Sequence, residues 1–286
     1  METSNKLIIA CTTNEKYIPF TRMFLNSIKD NSPWCDVYIK FVNCEKESIH
    51  NIITDYNIDN YSVDTIPLSK KRNRLSKENV PIHEFIKSGY KKNISTVKGA
   101  RWLFSDEMSY CSNIRFAVIN ELLKKGFKNV LYSDVDAIIN RDLEPLLDRI
   151  KKSDIAVRVD RNKETDNVSY PNRPITEPDG TLYHMGLLGV HNTPISQQVF
   201  AEIEKRVWDD MSDWDADHIE FYKIVEPKRK SNIIEVYDLE REFKDEGECP
   251  LTGEQDGFMD FSYIWSGAGS IKYTNEQYNK KLKEYG

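Results

Sequence analysis

The amino-acid sequence predicts an α/β protein with a mostly parallel, doubly wound central sheet flanked by helices. Three observations support this fold class. Short apolar runs of strand length alternate with segments of helical periodicity along the 286-residue chain. Hydrophobic residues make up 39% of the sequence, which is enough for a substantial core. No stretch rich in Pro, Gly or Ser divides the chain, so we expect a single domain over residues 1–286.

Strands and helices alternate through the first half of the chain. The apolar run Lys6–Thr12 predicts a buried first strand, and Tyr17–Lys29 has apolar residues at helical spacing. The next elements are expected at Asp36–Val42 (strand), Glu45–Tyr56 (helix) and Ser62–Leu68 (strand). Residues 69–96 are polar and irregular, which is typical of a functional loop. Residues 101–125 then predict a helix that Gly126 closes.

The second half continues the same alternation. Pro194 begins one predicted helix, a position that proline favours. The expected elements are Asp142–Lys152 (helix), Asp154–Val159 (strand), Tyr183–His191 (strand), Pro194–Trp208 (helix), Asp215–Ile224 (helix), Ile233–Leu239 (strand), Tyr263–Lys272 (strand) and a polar helix from Asn275.

Two carboxylates interrupt the apolar run at residues 130–139, which reads Val-Leu-Tyr-Ser-Asp-Val-Asp-Ala-Ile-Ile. If this run is one strand, Asp134 and Asp136 point to the same face and converge on one cation. Hard oxygen ligands suit Mg²⁺ or Mn²⁺, which usually keep part of their coordination shell for phosphate oxygens. The alternative is a strand end whose aspartates leave the core and cap the next turn. We expect a metal–diphosphate site.

Charge and composition exclude several classes of protein. The net charge of −6 argues against nucleic-acid binding, which needs a basic surface. No stretch approaches the roughly 20 apolar residues of a transmembrane helix. We expect no signal peptide, because a predicted strand follows the first residues directly. Five cysteines, odd in number and without metal-type spacing, fit a reducing compartment. We expect a cytoplasmic protein, in a bacterium or in the host cytoplasm if a virus encodes it.

Four motifs lie along the chain at residues 8–14, at residues 112–116 together with 129–136, at residues 183–192 and at residues 266–273. Together they resemble glycosyltransferases of the GT-A fold, most closely the glycogenin and lipopolysaccharide-galactosyltransferase type (family 8). Residues 8–14, Ile-Ile-Ala-Cys-Thr-Thr-Asn, are similar to the family's opening strand and nucleoside-binding turn. Residues 112–116 and 129–136 resemble a basic residue on a helix followed by the metal-binding Asp-x-Asp. Residues 183–192 resemble the Asn-Ala-Gly-Val strand, and residues 266–273 resemble the closing His-x-x-Gly-x-x-Lys motif.

The resemblance implies transfer of a sugar from a UDP-sugar to a hydroxyl of a glycan acceptor, with Mn²⁺ or Mg²⁺. Glucose, galactose and xylose are the expected donor sugars. Residues 1–140 would form a nucleotide-binding half ending at the Asp-x-Asp strand, and residues 141–286 an acceptor-side half. The implied donor-binding residues are Thr12, Thr13, Asn14, Arg115, Asp134, Val135, His184, Gly186, Gly269 and Lys272, and the metal ligands are Asp134, Asp136 and Ser266.

The chain departs from the family pattern at several positions. Ser266 stands where the family has a histidine ligand, and His184 stands in the asparagine position. The Asp-Gln-Asp motif near the reacting carbon corresponds to Asp215-Ala216-Asp217, or to Glu254-Gln255-Asp256 further on. Asp215, Asp217 and Asp256 are therefore the candidate catalytic residues. The missing amide leaves both a retaining and an inverting mechanism open.

Structural alternatives exist for several of these residues. Arg115 can pair with Glu121 or another carboxylate on the surface, and His184 can be a core histidine with satisfied hydrogen bonds. Asp215 and Asp217 can cap a helix, because aspartate is common at that position. Two rival functions also remain. A sugar nucleotidyltransferase usually has a Gly-rich basic loop after its first strand, and this chain has none there. The other rival is a decayed, non-catalytic binding module, which would explain why the family's histidine ligand is missing.

Overall fold

The computed structural model describes residues 6–66, 106–161, 181–208, 216–247, 257–267 and 275–286. Its strands are β1 Leu7–Asn14, β2 Asp36–Val42, β3 Asn60–Asp64, β4 Asn129–Ser133, β5 Ala137–Ile139, β6 Ile155–Arg161, β7 Thr181–His191, β8 Val236–Asp238 and β9 Ile264–Ser266. Its helices are α1 Ile18–Asn31, α2 Lys46–Tyr56, α3 Asp106–Asn113, α4 Arg115–Lys124, α5 Glu144–Ile150, α6 Pro194–Trp208, α7 Ala216–Lys230 and α8 Glu276–Tyr285.

Seven strands form the central sheet in the order β3-β2-β1-β4-β7-β6-β8. Strands β1, β2, β3 and β4 run parallel to one another, as does the β6–β8 pair. Strand β7 runs antiparallel to both of its neighbours, β4 and β6. A separate two-stranded antiparallel sheet joins β5 to β9. The predicted α/β class with a mostly parallel sheet is confirmed.

The central sheet carries an apolar core on each face, because successive side chains of a strand point to opposite sides. In β1, Ile8 and Ala10 pack on the face covered by α4, α6 and α7. Leu7, Ile9 and Cys11 pack on the other face, covered by α1, α2 and α5. All eight residues of β1 are buried. Helices on both sides of the sheet explain why this strand reads as a continuous apolar run.

Some predicted boundaries differ from the structure. The helix predicted over 101–125 is two helices, α3 and α4, that meet at Ile114. Gly126 does follow α4, with a φ of 89°, and its N–H donates to the Leu123 carbonyl at 3.0 Å. The strand predicted over Tyr263–Lys272 is confined to Ile264–Ser266 within the described residues. The predicted loop at 69–96 lies outside the described residues.

The prediction that Asp134 and Asp136 lie within one strand is wrong. Strand β4 ends at Ser133, residues 134–136 form a turn, and β5 begins at Ala137. The turn is held by backbone hydrogen bonds from Ala137 N–H to the Asp134 carbonyl (3.1 Å) and from Asp134 N–H to the Gly186 carbonyl (2.9 Å). Aspartate favours such turns, and leaving the strand avoids burying two carboxylates within the sheet. Strand alternation therefore does not set the direction of the two carboxylates.

No helix in the described ranges is both long enough and apolar enough to cross a membrane.

Candidate active site

The candidate site lies at one edge of the central sheet, where β1 and β4 both end. These strands are parallel neighbours, so residues 12–14 at the end of β1 lie beside the turn that follows β4. Strand β7 runs antiparallel to β4 and pairs Leu187 with Ser133, which brings Gly186 to the same edge. Ligands of open α/β sheets bind at the carboxyl ends of parallel strands. The fold thus gathers three of the four sequence motifs.

Asp134 is the partly exposed carboxylate of this edge, with 41% of its side chain accessible. Gly186 packs directly against it. A Cβ added at Gly186 would lie 2.7 Å from Asp134 Oδ2 and 3.3 Å from Lys244 Cε. Any larger residue at position 186 would displace the carboxylate. The predicted role of Gly186, close approach of the backbone, has this steric basis.

Arg115, the first residue of α4, is buried beneath Asp134. Its Nη2 lies 3.6 Å from Asp134 Oδ1 and 3.3 Å from Asp217 Oδ2. Its Nε donates to the Ser112 carbonyl at 2.6 Å, and its Nη1 donates to the Met185 carbonyl. Burial opposes the charge, but the two carboxylates outweigh it, so the pKa of Arg115 lies above its ordinary value. The alternative of a surface pair with Glu121 is wrong.

Asp217 lies in the first turn of α7 and is almost completely buried. Its Oδ1 accepts a hydrogen bond from the His218 N–H at 2.8 Å, and its own N–H donates to Asn113 Oδ1 at 3.1 Å. Through Arg115, the start of α7 is linked to the turn that carries Asp134. The geometry gives Asp217 a structural partner, and its catalytic role stays a prediction.

The three polar residues that end β1 differ in their surroundings. Thr12 Oγ1 accepts from the Tyr132 hydroxyl at 2.9 Å, and Arg115 lies over the Tyr132 ring. Thr13 is buried, with its hydroxyl 2.7 Å from that of Thr21 in α1. These hydrogen bonds tie both threonine hydroxyls to the protein.

Asn14 is positioned by a residue that the sequence did not single out, Glu107 of α3. Asn14 Nδ2 donates to Glu107 Oε1 at 2.5 Å, and Asn43, just after β2, donates to Glu107 Oε2 at 3.2 Å. Asn14 Oδ1 is buried and has no hydrogen-bond partner among the described residues. A buried, unsatisfied amide oxygen at the end of a strand suits a ligand that brings a donor.

A second group of charged residues adjoins Gly186. The Lys244 ammonium pairs with Glu246 Oε1, and His184 Nδ1 lies 3.3 Å from Glu246 Oε2. Burial opposes ionisation of Glu246, but Lys244 and His184 outweigh it and hold the pKa of that carboxyl well below its usual range. His184 is buried and has a charged partner here, which fits the alternative of a satisfied core histidine, and its role in binding the donor stays a prediction. No sequence motif points to Lys244 or Glu246, which lie in a segment with the composition of an acidic loop.

The other two predicted metal residues, Asp136 and Ser266, lie at the far end of the 134–136 turn and on the adjoining strand β9. Asp136 is nearly buried, and its backbone carbonyl accepts from the Gly267 N–H (3.0 Å) and from the Tyr278 hydroxyl (2.6 Å). Ser266 of β9 pairs with Ala137 in the two-stranded sheet, so it lies next to Asp136. Val135, between the two aspartates, is buried in the apolar core. Two carboxylates and a neighbouring hydroxyl are oxygen ligands of the kind that Mn²⁺ and Mg²⁺ accept.

Within the described ranges, no group of three His, Cys, Asp or Glu side chains is arranged to hold a metal ion. A cation at this turn would therefore complete its coordination with Ser266, water or a ligand. Four predicted site residues, Asp215, Asp256, Gly269 and Lys272, lie outside the described residues.

The chain is similar to known proteins in sequence and in fold. A model of the family described as nucleotide-diphospho-sugar transferase matches residues 69–280. The crystal structure of the galactosyltransferase LgtC, in complex with donor and acceptor sugar analogs, aligns over 97% of this chain and 96% of its own, with a TM-score of 0.55 and 12% identity. The glycosyltransferase GlyE of Streptococcus pneumoniae TIGR4 aligns over 99% of this chain and 63% of its own, with a TM-score of 0.51 and 11% identity. At these identities the likeness shows the GT-A fold. No curated protein matches the chain by sequence.

Proposed function

Because the chain belongs to the nucleotide-diphospho-sugar transferase family, we propose that it moves a sugar from a UDP-sugar to a hydroxyl of a glycan acceptor with the help of Mn²⁺ or Mg²⁺. The protein is thus a glycosyltransferase, and UDP, the metal and the glycan acceptor are the proposed details. We propose glucose, galactose or xylose as the donor sugar. The proposed biological role is glycan biosynthesis, and the proposed location is the cytoplasm.

One observation carries the proposal. A partly exposed carboxylate, Asp134, lies at the carboxyl edge of a parallel sheet, with the buried cation Arg115 on one side and the bare backbone of Gly186 on the other. The buried, unpartnered oxygen of Asn14 lies at the end of the neighbouring strand. The exposed carboxylate can bind a metal ion, the fixed cation holds that carboxylate in place, and the glycine lets a ligand approach the backbone closely. This combination suits a metal-bound diphosphate. The nucleoside would then lie toward β1.

Asp134, Asp136 and Ser266 would hold the metal ion. When bound, the ion would neutralise the charge that gathers on the leaving diphosphate. Arg115 would fix the orientation of the Asp134 carboxylate, because its guanidinium is itself held by the carbonyls of Ser112 and Met185. Thr12, Thr13, Asn14 and Val135 would line the nucleoside side, and His184, Gly186, Gly269 and Lys272 the diphosphate and sugar side.

The candidate catalytic residues are Asp215, Asp217 and Asp256. An inverting transfer needs a carboxylate base on the acceptor hydroxyl, whereas in a retaining transfer the leaving diphosphate can take that proton. Asp217 is engaged by Arg115 and by the His218 N–H.

A second candidate function, a non-catalytic GT-A binding module, is favoured by Ser266 in the place of the family's histidine. Family membership weighs against a sugar nucleotidyltransferase.

Hydrolysis of the donor in the absence of acceptor tests the proposal. UDP- and GDP-sugars would be incubated with Mn²⁺, and nucleotide release would be followed for the wild type and for the Asp134→Ala/Asp136→Ala variant. Asp55→Ala serves as the control, because Asp55 is an exposed aspartate that pairs with Arg22.

Metal-dependent release from one UDP-sugar, lost in the double variant and kept in the control, is the expected result. Absence of release from every donor, together with absence of UDP–Mn²⁺ binding by calorimetry, would overturn the proposal and support the binding module. Release without metal would refute the proposed role of the two aspartates.

A further inference from the structure

Lys244, Glu246 and His184 form a buried charged cluster on the Gly186 side of the candidate site. The accessible fraction is 4% for the Lys244 side chain, 17% for Glu246 and 7% for His184. His184 and Gly186 are two residues apart on β7 and therefore share a face of the strand. A Cβ atom placed on Gly186 would contact both Asp134 Oδ2 and Lys244 Cε. The cluster therefore lies next to the proposed diphosphate site.

Stability alone explains this cluster poorly. Taking two charges out of water costs several kcal/mol for each ion. Apolar residues of similar volume in their place often leave a protein equally stable or make it more stable. Lys244 donates to one side chain, Glu246, among the described residues, although an ammonium group has three N–H donors. Glu246 accepts from Lys244 and His184, and a carboxylate has about four acceptor sites. Both groups therefore keep hydrogen-bonding capacity in a place where little water reaches them.

The backbone around the cluster is held in place from both sides. Arg158 of β6 donates to the Lys244 carbonyl at 2.8 Å. The intervening Asp245 is fully buried, and its carboxylate accepts from the N–H groups of Gly247 (3.0 Å) and Met259 (2.7 Å) and from the Ser262 hydroxyl (2.8 Å). Functional groups that are held this way keep their geometry before a ligand arrives.

We propose that Lys244 and Glu246, with His184, bind a pair of neighbouring hydroxyl groups on the sugar that is transferred, and that they thereby select the donor sugar. A hydroxyl is both a donor and an acceptor, so one diol can accept from the Lys244 ammonium and donate to the Glu246 carboxylate. A diphosphate has acceptors alone at neutral pH, and Glu246 would repel it. The diol therefore matches the cluster better than a second phosphate does. This inference rests on the proposed function, because the sugar reaches the cluster as part of a nucleotide-sugar held at Asp134.

The test compares recognition of the sugar with recognition of the nucleotide. Binding of UDP–Mn²⁺ would be measured by calorimetry. The kcat/KM for donor hydrolysis would be measured with the preferred UDP-sugar and with analogues that each lack one hydroxyl. The variants are Glu246→Gln and the double variant Lys244→Met/Glu246→Gln, which leaves no unpaired buried charge if the single variant folds poorly. The control is Glu226→Gln, a buried carboxylate paired with Arg229 on the opposite face of β7.

We expect the wild type to discriminate about ten- to hundredfold against one deoxy analogue, because a buried charged group loses its partner. Both cluster variants should lose most of that discrimination and keep UDP–Mn²⁺ binding within about threefold, whereas Glu226→Gln should keep the discrimination.

Unchanged discrimination in folded cluster variants would overturn the inference and leave the transferase intact. An equal loss of UDP–Mn²⁺ binding and donor turnover would also overturn it, in favour of a diphosphate contact. If the wild type binds no UDP–Mn²⁺, the proposed function itself fails, and this inference fails with it.

Discussion

Arg115 Nη2 lies 3.3 Å from Asp217 Oδ2, and both side chains are almost completely buried. The same nitrogen lies 3.6 Å from Oδ1 of the partly exposed Asp134. One guanidinium therefore connects the first turn of α7 to the turn that follows β4. The position of the exposed carboxylate depends on this buried ion pair.

Replacing Arg115 with methionine should lower the free energy of unfolding by about 3–5 kcal/mol, because it breaks the buried ion pair with Asp217. Denaturant unfolding of the purified protein measures this change. The double variant Arg115→Met/Asp217→Asn should be destabilised by less than the sum of its single variants, because it removes both charges of the pair together.

A matched control is Arg206→Met, because Arg206 makes an exposed helical pair with Glu202 at 3.0 Å. Exposed pairs contribute about 0–1 kcal/mol, so this variant should change stability little. Equal effects at positions 115 and 206 would contradict the buried-pair interpretation.

Two glycines of β7 should respond in opposite ways to alanine. A Cβ at Gly186 would lie 2.7 Å from Asp134 Oδ2, and one at Gly189 would lie 2.6 Å from Cγ1 of Ile150. The Asp134 side chain can swing away, so Gly186→Ala should fold normally but lose donor hydrolysis by about a hundredfold if Asp134 holds the metal. Gly189→Ala should lose about 1–3 kcal/mol of stability by overpacking the core and keep its activity per folded molecule.

Thermal unfolding and donor hydrolysis, measured on both alanine variants, separate the two effects. Full activity in Gly186→Ala would contradict the close approach of Asp134 to the β7 backbone in the working site.

The sequence predicted the order of strands and helices well where periodicity is strong. Helix Pro194–Trp208 and strand Asp36–Val42 have the predicted bounds, because each combines a clear apolar pattern with local end signals. Apolar residues on both sides of Asp134–Asp136 favour one continuous strand, whereas the structure shows the alternative, a strand that ends before the two aspartates. Backbone hydrogen bonds to Gly186 and Ala137, which a sequence does not reveal, decide that the chain turns there.

The candidate site was predicted in part, because contacts between distant residues leave no local signal. Asp134, Arg115 and Gly186 lie in recognisable motifs, and the structure brings them together. Lys244 and Glu246 reach the same edge through the tertiary fold, from a segment whose charges resemble those of a solvated loop.

Acid should remove the contribution of Glu226 to stability. Burial alone would raise the pKa of Glu226, but hydrogen bonds from Arg229 and Tyr183 and the charges of Arg229 and Lys230 outweigh it, so the pKa lies below its ordinary value. A carboxyl with a lowered folded pKa stabilises the protein fully above its unfolded pKa, about 4.3, and loses this contribution as the pH falls through the folded value.

The wild type should therefore be more stable than Glu226→Gln at pH 7, and the difference should shrink below about pH 4. Urea unfolding of both proteins between pH 7 and pH 3 measures this difference. A gap that stays constant over the range would mean that Glu226 keeps the same pKa in the folded and unfolded protein.

Asn14 and Thr13 are neighbours at the end of β1, and their contacts predict different effects of substitution. Asn14→Ala removes the unpartnered Oδ1, so it should weaken UDP binding by about tenfold if a nucleoside N–H fills that position. Thr13→Val removes a hydroxyl that is 2.7 Å from Thr21 Oγ1. It should lower stability by about 1 kcal/mol, with Thr21 keeping its hydrogen bond to the Tyr17 carbonyl. It should weaken UDP binding less than Asn14→Ala does, because the Thr13 hydroxyl already has a partner in Thr21.

Calorimetry with UDP and Mn²⁺, together with denaturant unfolding of both variants, measures the two effects. Equal weakening of UDP binding by the two substitutions would mean that the Thr13 hydroxyl leaves Thr21 to contact the nucleoside, as the sequence motif predicts. Unchanged binding in Asn14→Ala would place the nucleoside away from the end of β1. In that case the buried oxygen of Asn14 serves another partner, and the donor must enter from the β7 side of Asp134.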